Sequence, residues 1–189
     1  MVMFSGINAA SSYLRLNFYT KFFKMKEIYV KYASYNLWAN RRLAETFAAL
    51  PEAEMETQIV SSFPSVRLTF LHIWDAESLW LERLQGNSPT TFPSKSFQGN
   101  SRDVFATFLK GSEAFLAFVE AQPSAFFEQS LFFKTISYGE QTQRAFEMIH
   151  HCMNHSTFHR GQLITMGRQL GIEKFPPTDF AYYLRELGK

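Results

Sequence analysis

One cysteine, Cys152, stands in a chain of 189 residues. A lone thiol excludes an internal disulfide and every multi-cysteine zinc site, and it suits a reducing compartment, so a cytoplasmic location is the default expectation. Long apolar runs are missing as well: nothing approaches the roughly 20 consecutive apolar residues that span a bilayer. Residues 1–24 are the one candidate for a targeting segment. They lack a basic start followed by an unbroken apolar run, because Arg15, Asn17 and Lys21 interrupt them. Charge of one sign is not in excess either. With 19 Lys and Arg scattered among 17 Asp and Glu, the chain has no basic footprint for nucleic acid. Neither a membrane nor a nucleic acid is therefore expected as a partner.

What is present is apolar and aromatic. At 46% hydrophobic residues, with 21 phenylalanines, the chain can bury a sizeable aromatic core in one domain. A regular pattern begins at Met25, where Ile28, Tyr32, Tyr35, Ala39, Leu43 and Phe47 recur at helical spacing and place the start of the first helix. Residues 1–24 then read as an extension, or as translation from a start too far upstream, and residues 25–189 as the domain. Ser65 is an N-cap for a second helix to about Leu84. The loop QGNSPTTFPSKSFQGN follows, and Ser101 with Asp103 opens a third helix through Val104, Phe108, Phe115 and Val119. LFFKTIS with Tyr138-Gly139 suggests a short hairpin. A fourth helix from about Arg144 to Leu170 carries the stripe Met148, Cys152, His155, His159, Leu163 and Met166 before Gly171 stops it. After Pro176-Pro177 comes a short helix in DFAYYLREL. Four long amphipathic helices bury their stripes most simply as an all-α four-helix bundle, with the hairpin before the last long helix.

The fourth helix holds the chemistry. His151, His155 and His159 lie four residues apart in HHCMNHSTFHRGQL, and each step of four turns the direction by roughly 40°, so three imidazoles share one side while His150 points elsewhere. Two imidazoles from one helix under-coordinate a transition metal, so a further ligand must come from another element, and His72 in the second helix is the available donor. The pairs His151 with His155 and His155 with His159 are equivalent by spacing. A lone inward histidine is ordinarily a core residue bonded to a neighbour; several on one face are harder to satisfy in that way.

YNLWANRRL (Tyr35 to Leu43), SFPSVRLTFLHIWDAESLWLERLQG (Ser62 to Gly86), NHSTFHRGQL (Asn154 to Leu163) and PPTDFAYYL (Pro176 to Leu184) resemble, in order, the signature segments of the DinB/YfiT-like superfamily. The resemblance spans Met25 to the C-terminus. It implies a four-helix bundle with up-down-down-up topology and a divalent metal held by His72, His155 and His159. His151 then stands at the edge of the site. Asp75, one turn beyond His72, is a candidate to orient an imidazole or act as a base, with a salt bridge elsewhere as the alternative. Tyr35, Asn36 and Trp38 either line the site or pack the core, while Trp38, Trp74 and Trp80 are read as core aromatics. Glu77 and Glu82 read as solvated charges. Arg160, about 100° from the last ligand, reads as a structural partner for a carboxylate. Gly161 is the candidate for close helix approach, and Cys152 reads as an inert buried thiol.

Three neutral ligands leave zinc or nickel, or else manganese or iron, with its full charge and open positions, which makes a Lewis acid for a small-molecule substrate. Activities known in the superfamily imply transfer or isomerisation with a low-molecular-weight thiol such as bacillithiol or mycothiol. A metal-dependent hydrolase is the alternative, and a non-catalytic, stress-related metal-binding bundle is the reading from a different class. The resemblance is compatible with a homodimer.

Overall fold

The computed structural model describes the backbone of residues 7–188 and the side chains of residues 25–188. Four long helices dominate: α1 (Ile7–Phe47), α3 (Val66–Leu84), α4 (Ser101–Ala121) and α5 (Ala145–Gln169). A one-turn helix, α2 (Glu52–Met55), precedes α3, and α6 (Phe180–Leu187) closes the chain. Strands β1 (Ser130–Thr135) and β2 (Gly139–Arg144) pair antiparallel, with Leu131 opposite Gln143 and Thr135 opposite Gly139, which is the hairpin expected around Tyr138-Gly139. Ser65 caps α3 by accepting from the Leu68 amide at 3.2 Å, as expected. Asn100, one residue before the expected opening, caps α4 in a capping box with Asp103. Gly171, at a φ of 89° that L side chains rarely adopt, ends α5.

The first helix departs from expectation. It begins at Ile7 rather than near Met25, because no proline or glycine interrupts the chain between them and the backbone has no reason to leave the helix.

Two apolar clusters give the direction of each helix. At one end pack Leu43 and Phe47 late in α1, Val66 and Phe70 early in α3, Phe105 and Phe108 early in α4, and Leu163 and Met166 late in α5. At the other lie Ala33, Leu84, Phe115, Val119, Met148 and Cys152. Helices α1 and α5 therefore run one way and α3 and α4 the other, which is the up-down-down-up order. Each of α1 and α3 packs against both α4 and α5. Because α3 and α4 are parallel neighbours, residues 85–100 must carry the chain back along the bundle, and a turn at Pro93–Ser96 packs this crossover on α3.

Between the clusters lies a polar layer. Glu77, expected on the surface, is 1% exposed and accepts from Asn36 at 2.7 Å, Asn40 at 2.9 Å, Ser112 at 2.6 Å and Ser156 at 2.9 Å. Four donors from three other helices replace the water that a carboxylate would otherwise keep, and that is why the charge can be buried. Arg160, also buried, donates to Asn36, to Asn40 and to Thr157. Its link to a carboxylate is thus real but indirect, through two asparagines. Among the described residues no helix is long and apolar enough to cross a membrane.

Close helix approach falls at Gly167 rather than at the expected Gly161. A Cβ on Gly161 would meet nothing within 4 Å, whereas one on Gly167 would press on Phe175 and come within 2.9 Å of Phe47. Urea unfolding should rank the two accordingly: Gly161→Ala gains up to about 1 kcal/mol from helix propensity, and Gly167→Ala loses about 1–3 kcal/mol from overpacking. The opposite order would show that the α5 packing is misassigned.

Candidate metal centre

His72 projects from the second turn of α3 and His155 and His159 from successive turns of α5, so two antiparallel helices bring three imidazoles together across their shared interface. One ligand nitrogen from each lies within 4.8 Å of the others. Nε2 of His72 and Nε2 of His155 are 3.0 Å apart. Two ligands on one tetrahedral zinc at about 2.0–2.1 Å sit roughly 3.3 Å from each other, so this pair has the separation that a shared ion requires. Nitrogen donors from neutral rings are also the right chemistry for a divalent transition metal.

The rings are held from outside. Nδ1 of His159 donates to Oε1 of Gln162 at 2.8 Å, and the Gln162 amide in turn donates to Ser62 at 2.9 Å. This bond leaves Nε2 of His159 as the nitrogen with a free lone pair. Phe63 stacks on His72 with ring centroids 4.0 Å apart and meets His159 edge-on at 5.7 Å. Sequence reasoning missed both supports. Gln162 carried a local signal, since it lies three residues after His159 on the same helix; Phe63 carried none, because it comes from the turn before α3. Nδ1 of His155 is buried without a hydrogen-bond partner, so on that side packing alone holds the ring.

Burial also sets protonation. It pushes the pKa of His72 from 6.5 down to about 4 and that of His155 to about 3, with neighbouring imidazoles adding to the fall. Burial lowers His159 too, against the opposing Gln162 bond. All three rings are thus neutral near pH 7, the form in which imidazole ligates.

The other candidates fall in different places. His151 stands beside the centre, its ring 6.2 Å from that of His155 and 4.7 Å from that of Trp80. Asp75 is engaged elsewhere: its carboxylate accepts from the amide of Ser94 at 2.8 Å and from its hydroxyl at 2.5 Å, and so ties the crossover to α3. Tyr35 donates to the Thr178 carbonyl at 2.8 Å within an aromatic cluster shared with α6, and is not among the side chains around the histidines. Asn36 belongs to the Glu77 layer, and Trp38 donates to Glu186 at 3.0 Å. Cys152 is fully buried, and burial raises its thiol pKa well above 9.0, so it stays protonated and inert. His150 is exposed.

A cleft of about 630 Å³ opens beside the centre. His72 and His155 lie in its wall, α3 contributes Leu79 and Trp80, and the hairpin contributes Phe133 and Ile136. Trp80, expected in the core, is therefore a wall residue.

Comparison with known proteins agrees with the fold. The sequence model of the DinB family matches residues 21–187. Protein DinB of Bacillus subtilis (strain 168) is 26% identical over 167 residues, covering 85% of this chain and 95% of that protein. Among solved structures, YfiT from Bacillus subtilis, described as a probable metal-dependent hydrolase with an unusual four-helix bundle topology, superposes with a TM-score of 0.61 at 12% identity, over 77% of this chain and 89% of that one. The DinB-like protein YjoA from Bacillus subtilis gives 0.62 at 15% identity, over 78% and 96%. A DinB-like protein from Bacillus cereus ATCC 10987 gives 0.59 at 15%, over 74% and 89%.

The depressed histidines predict an acid-sensitive metal-free chain. Unfolded imidazoles take up protons below about 6.5, whereas His72 and His155 wait until about 4 and about 3. The unfolded state therefore binds more protons throughout that window, so stability is full above pH 6.5 and falls as the pH falls through it. Denaturation midpoints of metal-free protein should drop between pH 7 and pH 5, and the drop should shrink in His155→Asn. A flat profile would mean that the imidazoles are not held neutral.

Proposed function

The chain belongs to the DinB family, and on that premise we propose a divalent-metal-dependent thiol transferase, in which the sulfur of a low-molecular-weight thiol bonds to an electrophilic carbon of a small molecule held in the cleft, that carbon's bond to its leaving group breaks, and the thiol proton passes to a protein base. The observation that carries this reading is the make-up of the cleft: the histidine cluster opens into it through His72 and His155, and among the described residues no carboxylate lines it. His72, His155 and His159 would hold the ion. Zinc or nickel suits an all-imidazole set best, ahead of manganese and iron. When bound, the metal supplies an uncompensated 2+ charge that favours the thiolate over the thiol.

A thiol already ionises near pH 8.5 in water, so it needs that charge and a proton acceptor rather than a strong base. His151, at the edge of the cleft with its ring 6.2 Å from that of His155, would receive the proton, and partial desolvation with the nearby Arg83 holds its pKa below 6.5, which favours the neutral ring at pH 7. Gln162 and Phe63 fix two of the three ligand rings. Leu79, Trp80, Phe133 and Ile136 give the cleft an apolar wall. A reducing cytoplasm, in which such thiols and a lone Cys152 persist, is the compartment that this chemistry requires.

Hydrolysis is the second reading, favoured by the description of YfiT as a probable metal-dependent hydrolase. There His151 would take its proton from water instead of from a thiol. Asp75 has a weaker claim to the role of base in either reading, since Ser94 occupies its carboxylate.

Protein purified without a histidine tag is expected to carry one divalent ion per chain. His72→Ala, His155→Ala and His159→Ala should each lose it, and His151→Ala should retain it; metal retained in the first three and lost in the last would overturn the ligand assignment. Cobalt-loaded protein should gain a sulfur-to-metal charge-transfer band when a small monothiol is added at millimolar concentration. No spectral change would favour hydrolysis over thiol transfer.

A further inference from the structure

Arg83 lies three turns beyond His72 on α3, and eleven residues at about 100° each return it to within about 20° of the same face. It is 6% exposed, yet it lines the same cleft as His72 and His155. Its guanidinium sits 4.7 Å from the centroid of Trp80 and 5.3 Å from that of Phe133. Among the described residues it has no carboxylate partner, and its Nε is buried without a hydrogen bond. Burial lowers its pKa with no nearby acid to offset the effect.

A buried, unpaired cation is costly, and two aromatic faces compensate it only in part. Arg160 shows what this fold does with a structural arginine: it surrounds the guanidinium with Asn36, Asn40 and Thr157. Arg83 has no such cage. Its donors remain available to something that enters the cleft. Because this rests on the histidine cluster being the reaction centre, we propose that Arg83 determines specificity by binding a substrate carboxylate, so that the substrates are small, partly apolar monocarboxylates with their reactive end at the histidines.

The charge count favours a carboxylate over a phosphate. Among the described residues Arg83 is the one Lys or Arg lining the cleft, so it balances a single negative charge, and its planar fork matches a carboxylate edge. Between the two ends lie Ala76, Leu79 and Trp80, an apolar wall for a hydrocarbon spacer. Along the axis of α3 the eleven residues span about 16 Å, and the arginine leans back toward the N-terminus, so the acid must be several bonds from the reacting atom.

Four probes of one length separate the two ends: hexanoate, hexanol, 6-mercaptohexanoate and 6-mercaptohexanol, titrated by calorimetry into zinc-loaded protein. Each carboxylate should bind about tenfold tighter than its alcohol, the scale of one charge-assisted contact. Arg83→Gln should abolish that preference while leaving the advantage of each thiol over its non-thiol partner, and Arg83→Lys should keep part of it. In metal-free protein, where no zinc can take the carboxylate, hexanoate should keep its advantage over hexanol; equal affinity there, or a preference that survives in metal-free Arg83→Gln, overturns the proposal, and the metal-free wild-type comparison decides even if that variant fails to fold. Failure of the metal-centre reading looks different, because the thiols then gain nothing over hexanoate and hexanol.

Discussion

The buried carboxylate of Glu77 is the constraint on which the rest of the structure depends. It sits on α3 and takes its hydrogen bonds from α1, α4 and α5, so every long helix must present its donor at the same height. A fully bonded charge of this kind is tolerated, and one left short of donors costs several kcal/mol, so the layer penalises any slip more sharply than apolar packing does. A shift of one residue moves a helix by about 1.5 Å and turns it by about 100°. Glu77 lies five residues after His72, and Ser156 follows His155 directly. The layer that fixes the register of α3 against α5 therefore also fixes the distance between their imidazoles.

Topology decides where that register can be used. Up-down-down-up order makes α3 and α5 antiparallel neighbours, which is how the start of α3 meets the second half of α5. It also obliges the chain to make one long crossover, and Asp75 serves that crossover by holding Ser94. The diagonal passage from α4 to α5 leaves room for the hairpin, whose Phe133 and Ile136 complete the cleft wall. The connections thus help to wall the cleft, and the helices carry the three histidines.

What was legible in the sequence was local. Ser65 and Gly171 marked helix ends because a cap acts within a turn, and the four-residue spacing of His151, His155 and His159 followed from helix geometry alone. Spacing could not choose between the two histidine pairs, and the family resemblance had to. Glu77 was misread because its burial depends on Asn36, Ser112 and Ser156, which lie 35 to 79 residues away in the chain. Arg83 and Phe63 were missed for the same reason, since neither a missing partner nor a stacked ring leaves a trace in a linear pattern. The start of α1 was misjudged because amphipathic periodicity was taken for helicity, and a helix can run on without it.

An ion held by three imidazoles, with a position left open to the cleft, is the centre of the proposed chemistry. X-ray absorption of the zinc-loaded protein tests this most directly. Three imidazole nitrogens are expected at about 2.0–2.1 Å, with the remaining shell filled by light atoms from solvent and no sulfur. A sulfur scatterer at about 2.3 Å, which only Cys152 or a methionine could supply, or a shell closed by four protein ligands, would contradict it.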